Sequence, residues 1–264
     1  MSIAKADKVA ILSGFPCCLS YDQPQETDGP PGAIALANAC TAMDKTVLLI
    51  TDDVSKPVFE AAVGSAADVQ VESFPPKHLW GVEEEERAKR ISDSFDHIIA
   101  IERAGVALDG KYYTMRGKDM SHLVAPLERI VEAAMLRGVE TTGIGDGGNE
   151  LGMGKVREAV IAAGVPNAAK ISCVTKTTNL ITCSVSNWGG YALSAGIATA
   201  MARGYERVLP DDQKEMELVQ RIVQAGARDG TTGHLDGRVD GMDLQVSLDV
   251  LKTLRNILTE AANG

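Results

Sequence analysis

The stretch TTGIGDGGNELGMGK, residues 141–155, carries six glycines around Asp146, Asn149 and Glu150. Carboxylates on a tight backbone turn can act as general bases or as hard oxygen ligands for a divalent cation. Gly143, Gly145 and Gly148 also satisfy G-x-G-x-x-G, the dinucleotide-binding fingerprint. Two features oppose that reading: Asp146 would repel a pyrophosphate, and the strand expected next ends Val174-Thr175-Lys176 with no acid for a ribose. A P-loop is excluded, because Asn149 stands where the motif needs glycine and Val156 follows Gly154-Lys155. The spacing predicts a turn presenting Asp146, Asn149 and Glu150 at a helix N-terminus. Plain capping of that helix by Asp146 and Asn149 is the alternative.

A second group lies in IERAGVALDGKYYTMRGKDMSHL, residues 101–123, where Glu102, Arg103, Lys111, Arg116 and Lys118 gather in one long connection. Long charged loops with aromatic residues are commonly binding loops or lids. Arg103, Arg116 and Lys118 suit a carboxylate, the guanidinium offering a planar two-pronged fork; Lys111 equally suits a solvated surface hairpin. SNWGGYAL, residues 186–193, adds Asn187 to orient a ligand, Trp188 to wall a pocket or fill the core, and the Gly189 and Gly190 amides to face an anion. Thr27, Asp28 and Gly29 precede a Pro-Pro-Gly helix start. Cys17 and Cys18 follow the first expected strand, and nothing in the sequence shows a base beside them.

The elements that must position these groups alternate. Short β-branched runs begin at Lys8, Thr46, Asp68, His97, Glu140, Ala169 and Leu180, with helical stretches between them, including residues 149–164. Strands apolar on both faces predict an α/β fold: a doubly wound, mostly parallel sheet with helices on both faces. Two amphipathic helices after Pro210, joined by TTGHLDGRVD, form a C-terminal helical appendage over residues 210–264 of a single domain, and offer a surface for a homodimer. Ligands of open parallel sheets bind beyond the carboxyl ends of the strands, which is where these glycine-rich and charged segments fall.

Composition narrows the function classes. With 26 Lys and Arg against 36 Asp and Glu, the net charge is −10, which disfavours nucleic acid and anionic membrane as partners. No apolar run reaches the roughly 20 residues of a membrane span. Five cysteines without a C-x-x-C pair and four histidines without an H-x-x-x-H spacing argue against a disulfide framework and a structural zinc site. The expected setting is a reduced cytoplasm.

The strings ETDGPPGAIALA, IER with its continuation YYTMRGKDMSHLVAPL, TTGIGDGGNELGMGKV and SNWGGYAL resemble the C-terminal domain of the D-glutamate cyclase family, here in a stand-alone form, and RDGTTG and VDG extend the resemblance along nearly the whole chain. The resemblance implies a carbon–oxygen lyase that interconverts D-glutamate and 5-oxo-D-proline plus water by lactam formation. It also implies assistance by a divalent cation such as manganese or magnesium, and no nucleotide cofactor. On that reading Asp146, Glu150, Glu102 and Lys118 are the catalytic candidates, and Asp146 and Glu150 the metal ligands. Thr27, Asp28, Gly29, Arg103, Arg116, Asn149, Asn187, Trp188 and Gly189 surround a small acidic substrate. A non-catalytic module binding a small acid or nucleotide is the competing reading, and a Rossmann-type oxidoreductase the third.

Overall fold

A computed structural model describes residues 2–64, 69–201 and 208–263. Six strands form one all-parallel sheet in the order β3-β2-β1-β4-β5-β6. They are β1 (Lys8–Gly14), β2 (Thr46–Asp52), β3 (Val69–Phe74), β4 (His97–Arg103), β5 (Glu140–Gly145) and β6 (Asn179–Thr182). The fold is the expected doubly wound α/β arrangement. Its strand order reverses between β1 and β4, which opens a crevice at their carboxyl ends.

Period-two alternation explains why the central strands are apolar throughout. Val9 and Ile11 of β1, Val47 and Leu49 of β2, and Ile99 and Ile101 of β4 enter one core, covered by α2 (Pro30–Thr41), α3 (Lys56–Val63) and α8 (Ser186–Met201). Their neighbours Ala10, Leu12, Leu48, Ile50, Ile98 and Ala100 enter a second core under α4 (Val82–Ser94) and α5 (Glu128–Leu136). A short helix, α1 (Ser2–Lys5), precedes the sheet. The C-terminal helices α9 (Asp212–Gln224) and α10 (Leu244–Asn263) pack on α3 and α8 respectively. Leu218, Val219 and Ile222 of α9 and Leu248, Leu251 and Leu258 of α10 are buried, so their apolar faces serve packing within the chain.

Two expectations are corrected. Residues 169–176 do not form a strand: α7 (Ala168–Ile171) begins that stretch, and Cys173 and Lys176 make only isolated bridges, to Ala107, Gly152 and Met153. A short apolar run reads alike as strand or helix, and here local turns prevail. The helix expected over 149–164 is confined to α6 (Arg157–Ala162), because Gly152 and Gly154 keep residues 149–156 in turns against Thr175. Asp146, Asn149 and Glu150 therefore sit on a folded loop and not at a helix N-terminus. Asp68, the expected first residue of β3, residues 65–67 and residues 202–204, the expected ends of α3 and α8, lie outside the described residues.

Candidate active site

The crevice at the switch point holds a cavity of about 130 Å³, lined by carboxylates from four separate segments. Glu26 comes from the loop after β1, Glu102 from the end of β4, Asp146 and Glu150 from the loop after β5, and Asp240 from the link between α9 and α10. Asn149 and Arg116 complete the polar wall. Asp28 stands behind it: carboxylate oxygens of Asp28, Asp146 and Asp240 lie within 4.8 Å of one another, as do those of Glu102, Asp146 and Glu150. Asp146 belongs to both groups.

Glu150 and Glu102 are held by local devices. Glu150, 1% exposed, accepts the backbone N–H groups of Gly147 at 2.6 Å and Gly148 at 2.7 Å. Gly148 adopts φ 101°, which lets the turn fold back onto its own glutamate. Those are amides a dinucleotide phosphate would need, and the fingerprint glycines follow β5, whereas a Rossmann fingerprint follows the first strand. Glu102 has φ 37°, an uncommon conformation for a residue with a Cβ, and its Oε2 accepts the Ser186 hydroxyl at 2.6 Å. Asp240 also lies in the left-handed region, at φ 51°, and its buried Oδ2 has no hydrogen-bond partner among the described residues.

The link that brings Asp240 is tied to the rim. Thr27 donates its N–H to Arg228 O at 2.8 Å and its hydroxyl to Arg238 O at 2.5 Å. Asp229, fully buried, accepts from Thr232 N, Thr232 Oγ1 and Gly241 N. The C-terminal part of the chain is thus part of the site.

Crowding carboxylates in a buried crevice favours their protonated forms. Burial, reinforced by Glu150 and Asp28, pushes Asp146 up to about 12. Burial and then Asp240 raise Asp28 to about 7, while burial raises Asp240 to about 6. Glu102 is pushed well above its ordinary range by burial and then by Asp146, and Glu26 by burial and then by Asp240. Such a cluster ionises fully only with compensating positive charge.

That charge fits a hard divalent cation: the donors are oxygens of carboxylates, the set preferred by magnesium and manganese. Asp240 Oδ2, buried and without a hydrogen-bond donor among the described residues, is an oxygen of that kind. Asp146 with Glu150 and Glu102, or with Asp28 and Asp240, are the residues able to hold it.

Of the thirteen residues expected at the site, Glu102, Arg116, Asp146, Asn149 and Glu150 line the cavity, and Asp28 joins them through its carboxylate neighbours. Seven have other surroundings. Arg103 is 1% exposed and is committed to Asp52, with Nη1 at 2.5 Å and Nη2 at 2.9 Å, and to Ala125 O at 2.7 Å. Lys118 is exposed and lines the neighbouring cavity of about 200 Å³. Trp188 points to α10, donating Nε1–H to Ser247 Oγ at 3.0 Å. Gly189 lies where a Cβ would come within 2.6 Å of Ile144 Cγ2, so it packs α8 on the sheet. Thr27, Gly29 and Asn187 support the wall without facing the cavity. Glu26 and Asp240 were not singled out from the sequence, although both stand in the family-like strings ETDGPPG and VDG.

Fold and site together define a doubly wound α/β protein with a carboxylate-lined, amino-acid-sized crevice at its switch point. The sequence matches the D-glutamate cyclase-like, C-terminal family over residues 1–255, and the chain belongs to that family. It is 34% identical over 272 residues to the mitochondrial D-glutamate cyclase of Homo sapiens, a match covering 92% of this chain and 44% of the human protein. The chain spans less than half the length of that relative.

Proposed function

We propose that this chain is a carbon–oxygen lyase interconverting D-glutamate and 5-oxo-D-proline plus water. The observation that supports this reading most is the carboxylate group around Asp146, with Arg116 at its edge. A cavity of about 130 Å³ suits an amino acid, and is far below the roughly 300–1,000 Å³ of pockets for larger ligands.

Ring closure joins the substrate's amine to its own γ-carboxylate, so holding a folded shape supplies much of the rate; effective molarities of about 10⁵–10⁸ M are known for well-oriented intramolecular reactions. Arg116 donates one N–H to Thr231 O at 2.6 Å, which fixes its guanidinium at the cavity edge with further donors for a substrate carboxylate. Asn149, its Nδ2 donating to Tyr113 O at 2.8 Å, presents its amide oxygen to orient the ammonium. Asp146, ionised once positive charge reaches the cluster, takes the proton released from the amine, or serves as a cation ligand with Glu150. Glu102, held protonated by burial and by Asp146, delivers a proton to the departing oxygen. A divalent cation at these carboxylates would supply Lewis-acid polarisation of the γ-carboxylate.

The test is turnover of D- and L-glutamate by this chain, with product chirality followed, for wild type, Asp146→Asn and Arg116→Ala. The proposal expects D-selective turnover that falls by a factor of at least about 10² in Asp146→Asn. Unchanged rates in both variants would remove the site from the reaction. Thermal stabilisation by D-glutamate without turnover would replace the lyase by a binding module.

A further inference from the structure

Cys17 and Cys18 stand in the wall between the carboxylate cavity and its neighbour. Cys17 lines both cavities and Cys18 the second. Their sulfurs are 4.0 Å apart, and both are free thiols. The segment that carries them is held tightly: Cys17 N–H donates to Phe15 O and Cys18 N–H to Pro24 O, each at 2.9 Å. Cys40 and Cys173 are fully buried and Cys18 nearly so, and Cys18 and Cys183 each donate to a backbone oxygen, of Asp229 and Gly145 respectively.

The two neighbours are chemically unequal. Cys17 faces Glu26 and Gly230, where a Cβ on Gly230 would lie 3.2 Å from its sulfur. Cys18 shares its cavity with Tyr21, Arg116 and Lys118, and is acted on by Asp229 and by the cationic Arg228, whose guanidinium stacks 3.8 Å from the Tyr21 ring centre. Contact with Cys17 and then Arg228 and Arg116 lower Cys18, against its burial and Asp229, whereas contact with Cys18 and burial raise Cys17, so the thiolate is favoured at Cys18.

We propose that Cys17 and Cys18 form a peroxide-responsive dithiol, with Cys18 the attacking thiolate and Cys17 the resolving thiol. Cys18 takes the distal oxygen of a hydroperoxide; the O–O bond breaks, sulfur gives up two electrons, and the alkoxide leaves as alcohol after gaining a proton. Cys17 then attacks the sulfenic sulfur: an S–S bond forms, the S–O bond breaks, and hydroxide departs as water with the Cys17 proton. Neighbouring residues have Cα atoms about 3.8 Å apart, below the usual disulfide range of about 4.4–6.8 Å, so the product is readily reduced by a dithiol. Drawing the Cys17 sulfur toward Cys18 reshapes the wall it shares with Glu26, and oxidation thereby reaches the carboxylate cavity.

The full chain is exposed to hydrogen peroxide, its remaining thiols are alkylated, and the digested peptides are weighed and fragmented. The expected product is a peptide that has lost two hydrogens between positions 17 and 18 and regains them with dithiothreitol. Cys17→Ser is expected to stop at a dimedone-trapped sulfenic acid on Cys18, and Cys18→Ser to slow oxidation of Cys17 about tenfold or more. No hydrogen loss in the wild type, a bridge to Cys40 or to another chain, or equal oxidation of Cys17 in Cys18→Ser would each overturn the proposal. The wild-type peptide decides the matter even if a variant fails to fold, and no arm depends on glutamate turnover.

Discussion

Asp28 and Asn187 cap each other's helices. Asp28, from the loop before α2, accepts the first N–H groups of α8, from Ser186 and Asn187, both at 2.8 Å. Asn187, from the first turn of α8, accepts the N–H groups of Gly29 at 3.0 Å and Gly32 at 2.8 Å at the start of α2, and donates to Thr27 O. Both side chains are buried, so the exchange satisfies donors that water cannot reach. It also aligns the two helices that flank the crevice and places Asp28 beside Asp146 and Asp240.

Asn187→Ala is expected to lower stability by about 1–3 kcal/mol, the cost of a lost cap together with unsatisfied buried groups. Because the two residues share one network, Asp28→Asn and Asn187→Ala should be non-additive, coupling by about 0.5–3 kcal/mol. Urea unfolding of both single variants and the double variant measures this. Strict additivity would mean that the two caps act separately.

Arg103 is a strut under the site. Its buried pair with Asp52, which also accepts Ala125 N–H at 2.6 Å, joins the ends of β2 and β4 to the start of the α5 segment. Arg103→Ala leaves a buried carboxylate alone and is expected to cost about 3–5 kcal/mol. Lys118→Ala, at an exposed side chain, should fall within about 0.5 kcal/mol of wild type. Denaturation midpoints for the pair separate a structural cation from a solvated one.

The crowded carboxylates make stability depend on pH. Asp28 and Asp240 have folded values raised from 3.8 to about 7 and about 6, first by burial. A raised carboxyl value means that the folded state binds more protons than the unfolded chain. Its contribution is fully present below pH 3.8 and is lost as pH rises through about 6 and about 7. Relative to Asp240→Asn, metal-free wild type should therefore lose thermal stability between about pH 4 and about pH 7. Manganese added at the upper pH should restore it. Thermal unfolding across that range, with chelator and then with manganese, checks both signs.

Glycine at positions 32 and 190 sets how closely α2 and α8 approach. A Cβ on Gly190 would lie 2.8 Å from Gly32 Cα, and one on Gly32 would meet Ile101 Cδ1 at 2.7 Å and Asn187 Cα at 2.8 Å. Gly190→Ala must separate two helix backbones and should cost about 1–3 kcal/mol. Trp188→Phe, next to it but aimed at α10, should lower stability and, under the proposed function, leave D-glutamate affinity unchanged. Calorimetric binding and thermal melts read the two effects separately.

The residues by themselves determined the sheet and the location of its chemistry. Apolar strands such as Val9–Leu12 and Ile98–Ile101 must be covered on both faces, which dictates the doubly wound form, and the glycine-rich corners mark the carboxyl ends of the strands. Asp146 and Glu150 were legible because acids inside turns have few structural reasons to be there, and Glu102 because it closes a strand at its carboxyl end. Composition and spacing do not distinguish a guanidinium that meets substrate from one that meets Asp52, so Arg103 was legible as a cation and not as a strut. Only the tertiary structure decided that Gly189 and Gly190 serve close packing, and that Glu26 and Asp240, more than two hundred positions apart, share one cavity. The physical reason is distance along the chain: period and turn chemistry act over a few residues, whereas the meeting of Asp28, Asp146 and Asp240 depends on how loops from opposite ends of the sequence close over one switch point.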